Sequence, residues 1–486
     1  MPSIKEILTA HTEHPSKLLD VLCVDTNDER EPEEFREEYE GERTRRTKSV
    51  GNRENKVIDV LDDDGVKTGE KTVYVSKLVF PFPRKVVRTA THFLFGGKMS
   101  ISSDENTDAI KEFSGVWEKD LKMQTALKKL ARTCMIETKA AMIFYPQQEA
   151  DETEVEIDGK VETKKEIKGL KLRVRVLDND SGEFFPHFDD YGDMDAFTRK
   201  FSTTDIEGKD VQRAIIYTKD MIIHMVDESG WNHDKAVVNR FGKIPVVYVE
   251  QDEPEWESVA TLIDDFEMRI SRLADTNDYF AEPLLKLFGD VEKAPGKDEV
   301  GKMVQFKMKE DLDGKISHGD AEYATWDQTP ESVKLELETV NDGIFSMTST
   351  PDLSFNNIKG IGTVSGIALK LMFLDALIKR EEKGEIFFDA LNRAISVVIA
   401  GIAGMTNIKL EGQLEKDNVR VNFTDQLPED MAAAIDTLVI ATGGKPILSQ
   451  ESAASISPYP VDAKEEVERL KSEQAAATKP DESFQM

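Results

Sequence analysis

One apolar stripe constrains this chain more than any other feature. Across residues 363–402 the positions Ile367, Leu371, Leu374 and Ile378, then Phe387, Leu391, Ile395, Val398 and Ile402, recur in steps of four and three. That spacing predicts a single very long helix. At 1.5 Å per residue it would reach about 60 Å, too long to be buried within one small domain, so it is expected to pack on neighbours. Gly384, inside the polar run 380–385, is the expected kink.

Two shorter helices stand upstream. Residues 257–280 place Val259, Leu262, Ile263, Phe266, Ile270, Leu273 and Ala274 in a buried stripe. Pro330 opens a second helix with Val333, Leu337, Val340, Ile344 and Phe345 on one side. Residues 283–327 between them read as short strands and turns. This order suits two antiparallel helical struts carrying a cap. The Pro- and Gly-containing segment 350–362 then reads as an irregular, mobile loop.

The N-terminal half is mixed. Residues 27–55 are highly charged and read as a solvated helix or a mobile arm. A strand is expected over 72–79, and helices over 83–95 and 108–135. The β-branched segments 140–145, 170–177, 214–217, 221–226 and 244–249 read as strands, with 149–168 a hairpin extension. A strand over 419–423, a helix over 431–441 and a charged helix over 462–477 complete the chain, before a disordered tail. The class is α+β.

Enzyme signatures are missing. At 486 residues the prior is roughly three domains, or one elongated protomer. The segment 96–99 (GGKM) lacks both the leading glycine and the hydroxyl of a phosphate-binding loop, and Gly362-Thr363-Val364-Ser365-Gly366 has its serine one place late for a nucleophile elbow. The seven histidines have no helical i, i+4 pairing, so no zinc site is expected. The acidic turns at 62–65, 178–182 and 311–314 lack the distal bidentate glutamate of a calcium loop and read as hairpin turns. No catalytic residue, metal or cofactor is expected. Two cysteines give no disulfide framework and suggest a reducing compartment. No signal-peptide core stands at the start, and the longest apolar run, 394–404, is far short of the ~20 residues of a bilayer span. The net charge of -31 argues against holding nucleic acid by a basic surface. It does not argue against a surface that DNA must touch without sticking.

Several local patterns, in order, resemble the portal proteins of tailed bacteriophages, in particular long-tailed ones, over about residues 77–473. The first is the helix from Pro83 into Phe93-Leu94-Phe95-Gly96, followed by a strand. The second is Phe241-Gly242-Lys243-Ile244-Pro245-Val246-Val247 before a helix near Trp256. The third runs from Leu262-Ile263-Asp264-Asp265 to Asn277-Asp278. The fourth is Pro351-Asp352-Leu353, a Gly-rich loop, and Ser365-Gly366-Ile367-Ala368-Leu369-Lys370. The last is Pro428 after a strand, then Ile447-Leu448-Ser449-Gln450-Glu451-Ser452 and an acidic helix.

The resemblance implies a portal fold: wing 1–255, stem helices 256–281 and 329–348, clip 282–328, tunnel loop 349–362, long wing helix 363–404, and a strand, helical crown and tail over 405–486. It implies a dodecameric homo-oligomeric ring at one capsid vertex of the virion, assembled in the host cytoplasm. Double-stranded DNA would pass through it, non-specifically, during packaging and ejection. Implied partners are the terminase large subunit, a head-tail adaptor, and the major capsid and scaffolding proteins, with no membrane. The implied tunnel loop carries Pro351, Asp352, Leu353, Phe355, Asn356, Asn357, Lys359 and Gly360. Channel-lining candidates on the stem are Asp264, Asp265, Glu267, Asp275, Asp278 and Lys334, whose other reading is a solvated helix face. Clip lysines Lys297, Lys302, Lys307 and Lys309 are candidates for docking a partner. The alternatives are a non-portal structural head or scaffold-like virion protein, and a nucleic-acid enzyme, which would need a phosphate loop or a carboxylate metal cluster.

Overall fold

The computed structural model describes residues 3–24, 32–61, 66–103, 108–157, 160–205, 208–281, 285–288, 291–293, 304–307, 309–310, 316–317, 320–323, 330–352, 371–407, 419–423, 431–443, 447–457 and 463–477. Residues 1–351 with 375–424 form one compact unit, and residues 352–374 with 425–486 a second.

The first unit begins with helices α1 (Ile4–His11), α2 (Pro15–Leu22) and α3 (Pro32–Glu40). A hairpin of β1 (Lys56–Leu61) and β2 (Lys67–Val73) follows, then α4 (Phe82–Phe95) and β3 (Met99–Ser102). Helix α4 starts with Pro83 in its first turn and buries Val86, Val87, Ala90 and Leu94 along one side. The helix expected over 108–135 is broken into α5 (Asp108–Gly115), a π turn over Val116–Asp120, and α6 (Met123–Glu137). Lys122 takes a left-handed φ of 49° at the break, and the shifted phase buries both Trp117 and Leu121.

Nine residues of one three-stranded sheet explain the layering. Strands β4 (Lys139–Ile157) and β5 (Lys160–Leu177) pair antiparallel, with β11 (Val246–Glu250) on the other side of β4. Successive side chains of a strand point to opposite faces. Ala140, Met142 and Phe144, with Val247 and Val249, therefore join the large core under the helices. Ala141 and Ile143, with Val246 and Tyr248, meet the second sheet. That sheet is a five-stranded antiparallel meander of β6 (Glu183–Phe188), β7 (Met194–Thr204), β8 (Asp210–Thr218), β9 (Met221–Asp227) and β10 (Trp231–Val238). Phe197 and Tyr217 face the three-stranded sheet. Ala196, Ala214 and Ile216 face outward to Ile4, Ile7, Leu18, Leu19 and Leu22 of α1 and α2. The layers run helix pair, sheet, sheet, helices. The α+β expectation holds at that level. Strands β6, β7 and β10 were not expected from pattern. Pro186 lies within β6 and is tolerated because β6 is an edge strand.

Helix α7 (Ala260–Ala281) follows a short turn at Glu257–Val259. Short strands β12 (Leu285–Phe288), β13 (Val291–Lys293), β14 (Gln305–Phe306), β15 (Lys309–Glu310), β16 (Ile316–Ser317) and β17 (Asp320–Tyr323) lead to α8 (Pro330–Met347). They pair as β12–β17, β13–β14 and β15–β16, so the expected β module between two helices is present.

The long helix is described as α9 (Leu374–Gly401), continuing as a π turn over Ile402–Thr406. Its expected start, 363–370, lies outside the described residues. The helix runs through Gly384 without interruption. Gly384 is buried, and a Cβ there would sit 2.5 Å from the Phe388 ring, so the glycine makes room for that side chain. Departure from α geometry comes instead at Ile402. The segment Leu374–Thr406 is long and apolar enough to cross a bilayer, a longer stretch than the uninterrupted run suggested, yet half of its most apolar window is buried inside the protein. Phe387, Leu391, Ala394, Ile395, Val398 and Ile402 all belong to the main core. Strand β18 (Arg420–Phe423) then pairs with β3, some 320 residues earlier.

In the second unit α10 (Met431–Thr442), α11 (Gln450–Ile456) and α12 (Ala463–Ala477) are described. Ser449 caps α11, its Oγ accepting the Ser452 N–H at 3.1 Å.

Phe197 joins the two sheets, with rings of Phe184, Tyr217 and Tyr248 about it at 6.1, 6.3 and 6.1 Å. Phe197→Ala is expected to cost about 3–5 kcal/mol in denaturant unfolding. A loss under about 1 kcal/mol would mean that the sheets do not share a close-packed seam.

Candidate functional site

Helices α7 and α8 lie against each other. Leu262 packs where a Cβ on Gly343 would come within 3.7 Å, and Arg269 bridges Asp265 at 2.6 Å on its own helix and Glu336 at 2.7 Å on α8. The hydrogen bond to Asp265 raises the Arg269 pKa. Phe266 stands edge-on to Phe80 and Phe82, at 5.1 and 5.3 Å, and Phe82 meets Phe345 at 5.8 Å. Lys85 lies 4.1 Å from the centre of the Phe345 ring.

The other side of α7 is covered by the N-terminal arm. The backbone N–H groups of Phe80, Leu78 and Ser76 donate to Glu267 Oε1, Ser271 Oγ and Asp275 Oδ1, at 2.7, 2.8 and 2.7 Å. Every second residue of an extended segment thus meets every fourth residue of a helix. Two extended residues advance about 6.6 Å and four helical ones about 6 Å, so the two ladders stay in step. The segment expected to form a strand over 72–79 is extended, as its alternation implies, but the strand ends at Val73 and the continuation pairs with a helix.

Arginines lock this contact. Arg43 donates to Glu267 at 3.0 Å and to the carbonyl of Phe80 at 3.0 Å, with side chains of Arg43 and Glu267 1% and 0% exposed. Arg45 pairs with Glu38 and Glu257 at 3.2 and 2.8 Å, and Arg46 pairs with Glu257. Arg53 reaches Asp275 at 2.6 Å. The turn at Val50–Asn52 permits this folding-back because Gly51 lies against the Arg43 carbonyl, where a Cβ would collide. The described part of 27–55 is held against α7 through its arginines, while α3 keeps a solvated outer face of Glu33, Glu34, Glu37 and Glu40, as the solvated-helix reading expects.

Burial shapes the titration. It pushes the Glu267 carboxyl up, although Arg43 and the Phe80 N–H pull the other way. Burial also raises Asp264 against the pull of Arg46. At Glu257 burial is outweighed by hydrogen bonds from Arg46 and Arg45, and at Asp275 by the Ser76 N–H and Arg53, so both are held below their ordinary values.

A second buried cation fixes the far end of α8. Lys379 of α9 donates to the Thr348 carbonyl at 2.7 Å and pairs with Glu255 at 2.9 Å, and Lys383 pairs with the same carboxylate at 2.8 Å. Burial lowers the Lys379 pKa, against the opposing pull of Glu255. Ser349 is left-handed, φ 49°, and the Thr350 N–H returns to the Phe345 carbonyl at 2.9 Å, closing the helix.

The candidate residues separate on this geometry. Glu267 is fully buried and Asp264 nearly so, while Asp275 is half-buried and held by the arm. Glu267 is corrected from channel lining to core and Asp275 to an arm anchor, while Asp264, itself mostly buried, shares the lining of an open cavity with Arg45, Arg46 and Asp265. Sequence spacing put all six candidates on helices but could not say which face the arm would cover. Asp265 is partly exposed, and Asp278 and Lys334 are exposed. Pro351 and Asp352 are half-buried. Leu353, Phe355, Asn356, Asn357, Lys359 and Gly360 lie outside the described residues, as do Lys297 and Lys302. Lys307 is exposed and Lys309 lies in β15. The acidic segment 178–182 is a turn but not the hairpin expected, because it passes from β5 of one sheet to β6 of the other; Asp178 accepts from Ser181 at 2.7 Å, and Asp180 pairs with Arg36. The other two acidic turns are outside the described residues. Among the described residues no three acidic, histidine or cysteine side chains gather as a metal site would require. Missed altogether were Arg43, Arg53, Ser271 and Lys379. Four arginines within eleven residues of an acidic stretch were the available signal.

Arg43→Ala is expected to cost about 3–5 kcal/mol, because it leaves Glu267 buried without its counter-charge. Lys48→Ala, at an exposed arm position, should stay within about 0.5 kcal/mol. Equal effects in a denaturant titration would remove the arm from the stability of α7.

Acid should release the arm. Glu257 and Asp275 have folded-state pKa values below those of the unfolded chain, so their contribution is present above the ordinary carboxylate range, near pH 4, and is lost as pH falls through the folded values. Glu267 and Asp264, shifted upward, take up protons more readily when folded and do not drive release. Hydrogen-exchange protection of the Ser76, Leu78 and Phe80 amides, corrected for intrinsic rate, should fall below about pH 4. Protection unchanged down to pH 3 would show that the arm is held by packing alone.

The sequence model of one protein family, described as phage portal protein, SPP1 Gp6-like, matches residues 24–480. No curated protein matches the chain. Among solved structures, a chain in the virion of a native gene transfer agent particle is 10% identical over 78% of this chain and 90% of that one, with a TM-score of 0.41. A chain in the neck of an empty gene transfer agent particle, computed with sixfold symmetry, is 11% identical over the same shares, with a TM-score of 0.38. The family match spans nearly the whole sequence, including the arm, both helices and the β module between them, and the chain belongs to the SPP1 Gp6-like phage portal proteins.

Proposed function

We propose that the protein forms a dodecameric ring at one vertex of a phage capsid. The ring is the channel for double-stranded DNA during packaging and ejection, and the platform for the terminase motor and then the head-tail connector. The observation that carries this reading is the pair of helices α7 and α8, bearing a small β module and locked by an arm, within a chain whose family match runs over residues 24–480. In this reading α7 and α8 are the stem, β12–β17 the clip and 349–362 the tunnel loop, with the sheets and α9 in the wing and α10–α12 in the crown. The protein is a structural component of the virion, assembled in the host cytoplasm with capsid and scaffolding proteins and without a membrane.

The charge supports a channel that repels rather than binds. A protomer carrying -31 repeats that excess around an axis, and phosphate is kept away from the wall. Asp265 and Asp278 are the acidic candidates that remain outward, with Lys334 as a weak, salt-dependent contact. The exposed Lys307, in the β module, suits an acidic docking partner. ATP hydrolysis falls to the partner motor.

Electron microscopy of the purified protein should show closed rings of about a dozen subunits with a central hole. A protein that stays monomeric or dimeric at high concentration would defeat the reading of a self-assembling ring.

A further inference from the structure

The hairpin β1–β2 is exposed on both faces. A two-stranded hairpin with no covering layer is marginal in water. Yet its base is rigid: Asp275 accepts from Arg53 before β1 and from the Ser76 N–H after β2, so one carboxylate pins both strands to α7. Its two faces differ. Cross-strand partners share a face. One face carries Val57 with Asp59 and Glu70, whose carboxylates are bridged by Lys67 at 2.7 Å from each and keep one net negative charge. The other carries Lys56 opposite Val73, Ile58 opposite Lys71 and Val60 opposite Gly69. That face is apolar and basic, with no carboxylate. Val60 and Ile58 are 42% and 47% exposed.

A complementary surface lies on α8. At about 100° per residue, Glu331, Leu335, Glu338 and Asp342 fall on one stripe, opposite the side on which Glu336, Leu337, Val340 and Gly343 meet α7 and the core. All four are exposed, Leu335 at 65%. The stripe is acidic around one large apolar side chain, with Lys334 at its edge 3.6 Å from Glu338. The arm's anchors Glu267, Ser271 and Asp275 occupy the side of α7 away from α8. The hairpin and the stripe therefore lie on opposite flanks of the helix pair. A protomer with complementary surfaces on opposite flanks associates head to tail, and such contacts close into a ring when the rotation allows.

We infer that the Lys56/Ile58/Lys71 face of the β1–β2 hairpin packs on the Glu331/Leu335/Glu338/Asp342 stripe of α8 in a second copy of this chain. The inference deepens the ring reading and rests on it. Ile58 meets Leu335, and Lys56 and Lys71 meet the carboxylates of the stripe. The hairpin gains its missing layer only in the assembly.

The test is a cross-link on the full chain. The Ile58→Cys, Leu335→Cys double variant, mildly oxidised, should give a ladder of covalent multimers on a non-reducing gel, since a disulfide needs Cα atoms within about 7 Å. Each single variant should give no ladder; the natural Cys134 is buried and Cys23 half-buried. In parallel, Lys56→Glu with Lys71→Glu should weaken association at least about tenfold in analytical ultracentrifugation at low salt, and Glu338→Lys with Asp342→Lys in the same chain should restore it. All four positions are exposed, so the unfolding midpoint should not move. Wild-type rings with no ladder from the double variant, and with assembly indifferent to charge reversal, would overturn this contact and leave the ring reading standing. A wild-type protein that forms no rings would overturn the ring reading itself.

Discussion

The match in repeat between an extended chain and a helix is the constraint on which the rest of the first unit depends. Ser76, Leu78 and Phe80 each place an N–H on an acceptor of α7, at Asp275, Ser271 and Glu267. The contact satisfies three backbone donors that no sheet takes up, and it does so on a helix face that would otherwise bury a carboxylate alone. Arg43 then makes the burial of Glu267 tolerable. Because Phe80 and Phe82 follow directly, the same contact delivers the aromatic rings that wedge between α7 and α8. The arm, the helix pair and the base of the β1–β2 hairpin are consequences of one ladder.

A second fixed point balances it. Lys379 and Lys383 of α9 share the Glu255 carboxylate, which sits just before α7, while Lys379 also holds the carbonyl of Thr348 at the end of α8. The end of the antiparallel pair at which α7 begins and α8 finishes is thereby tied to the core through buried charge. Pairs of this kind add little net stability over an apolar substitute, but breaking one is costly. They specify a single arrangement of α7, α8 and α9.

Much of this architecture was legible. Apolar spacing located α7, α8 and most of α9, and β-branched runs located β4, β5, β8, β9 and β11, because those segments bury one face and must alternate accordingly. The partners were not legible. β3 and β18 pair across some 320 residues, and no local pattern records that. The helix over 108–135 hides a π turn because both halves keep an apolar stripe and only the phase changes at Lys122. Glu267 and Asp264 read as exposed because a carboxylate on a helix is normally solvated. The residue that reverses this, Arg43, stands 224 positions away. Of the candidate site, the helices were found and their faces were not.

That separation has a consequence for how the chain is made. The arginines of the arm leave the ribosome long before the helix that neutralises them. At about 5–20 residues per second, the interval for 224 residues is on the order of 10–45 s. Throughout it the nascent segment 43–53, which holds no carboxylate of its own, has nearby arm glutamates such as Glu38 but lacks Glu257, Glu267 and Asp275. The α7–α8 pair cannot reach its final form as a local event during synthesis. It must wait for a loop closure spanning nearly half the protein, which places the helix pair among the last elements to set.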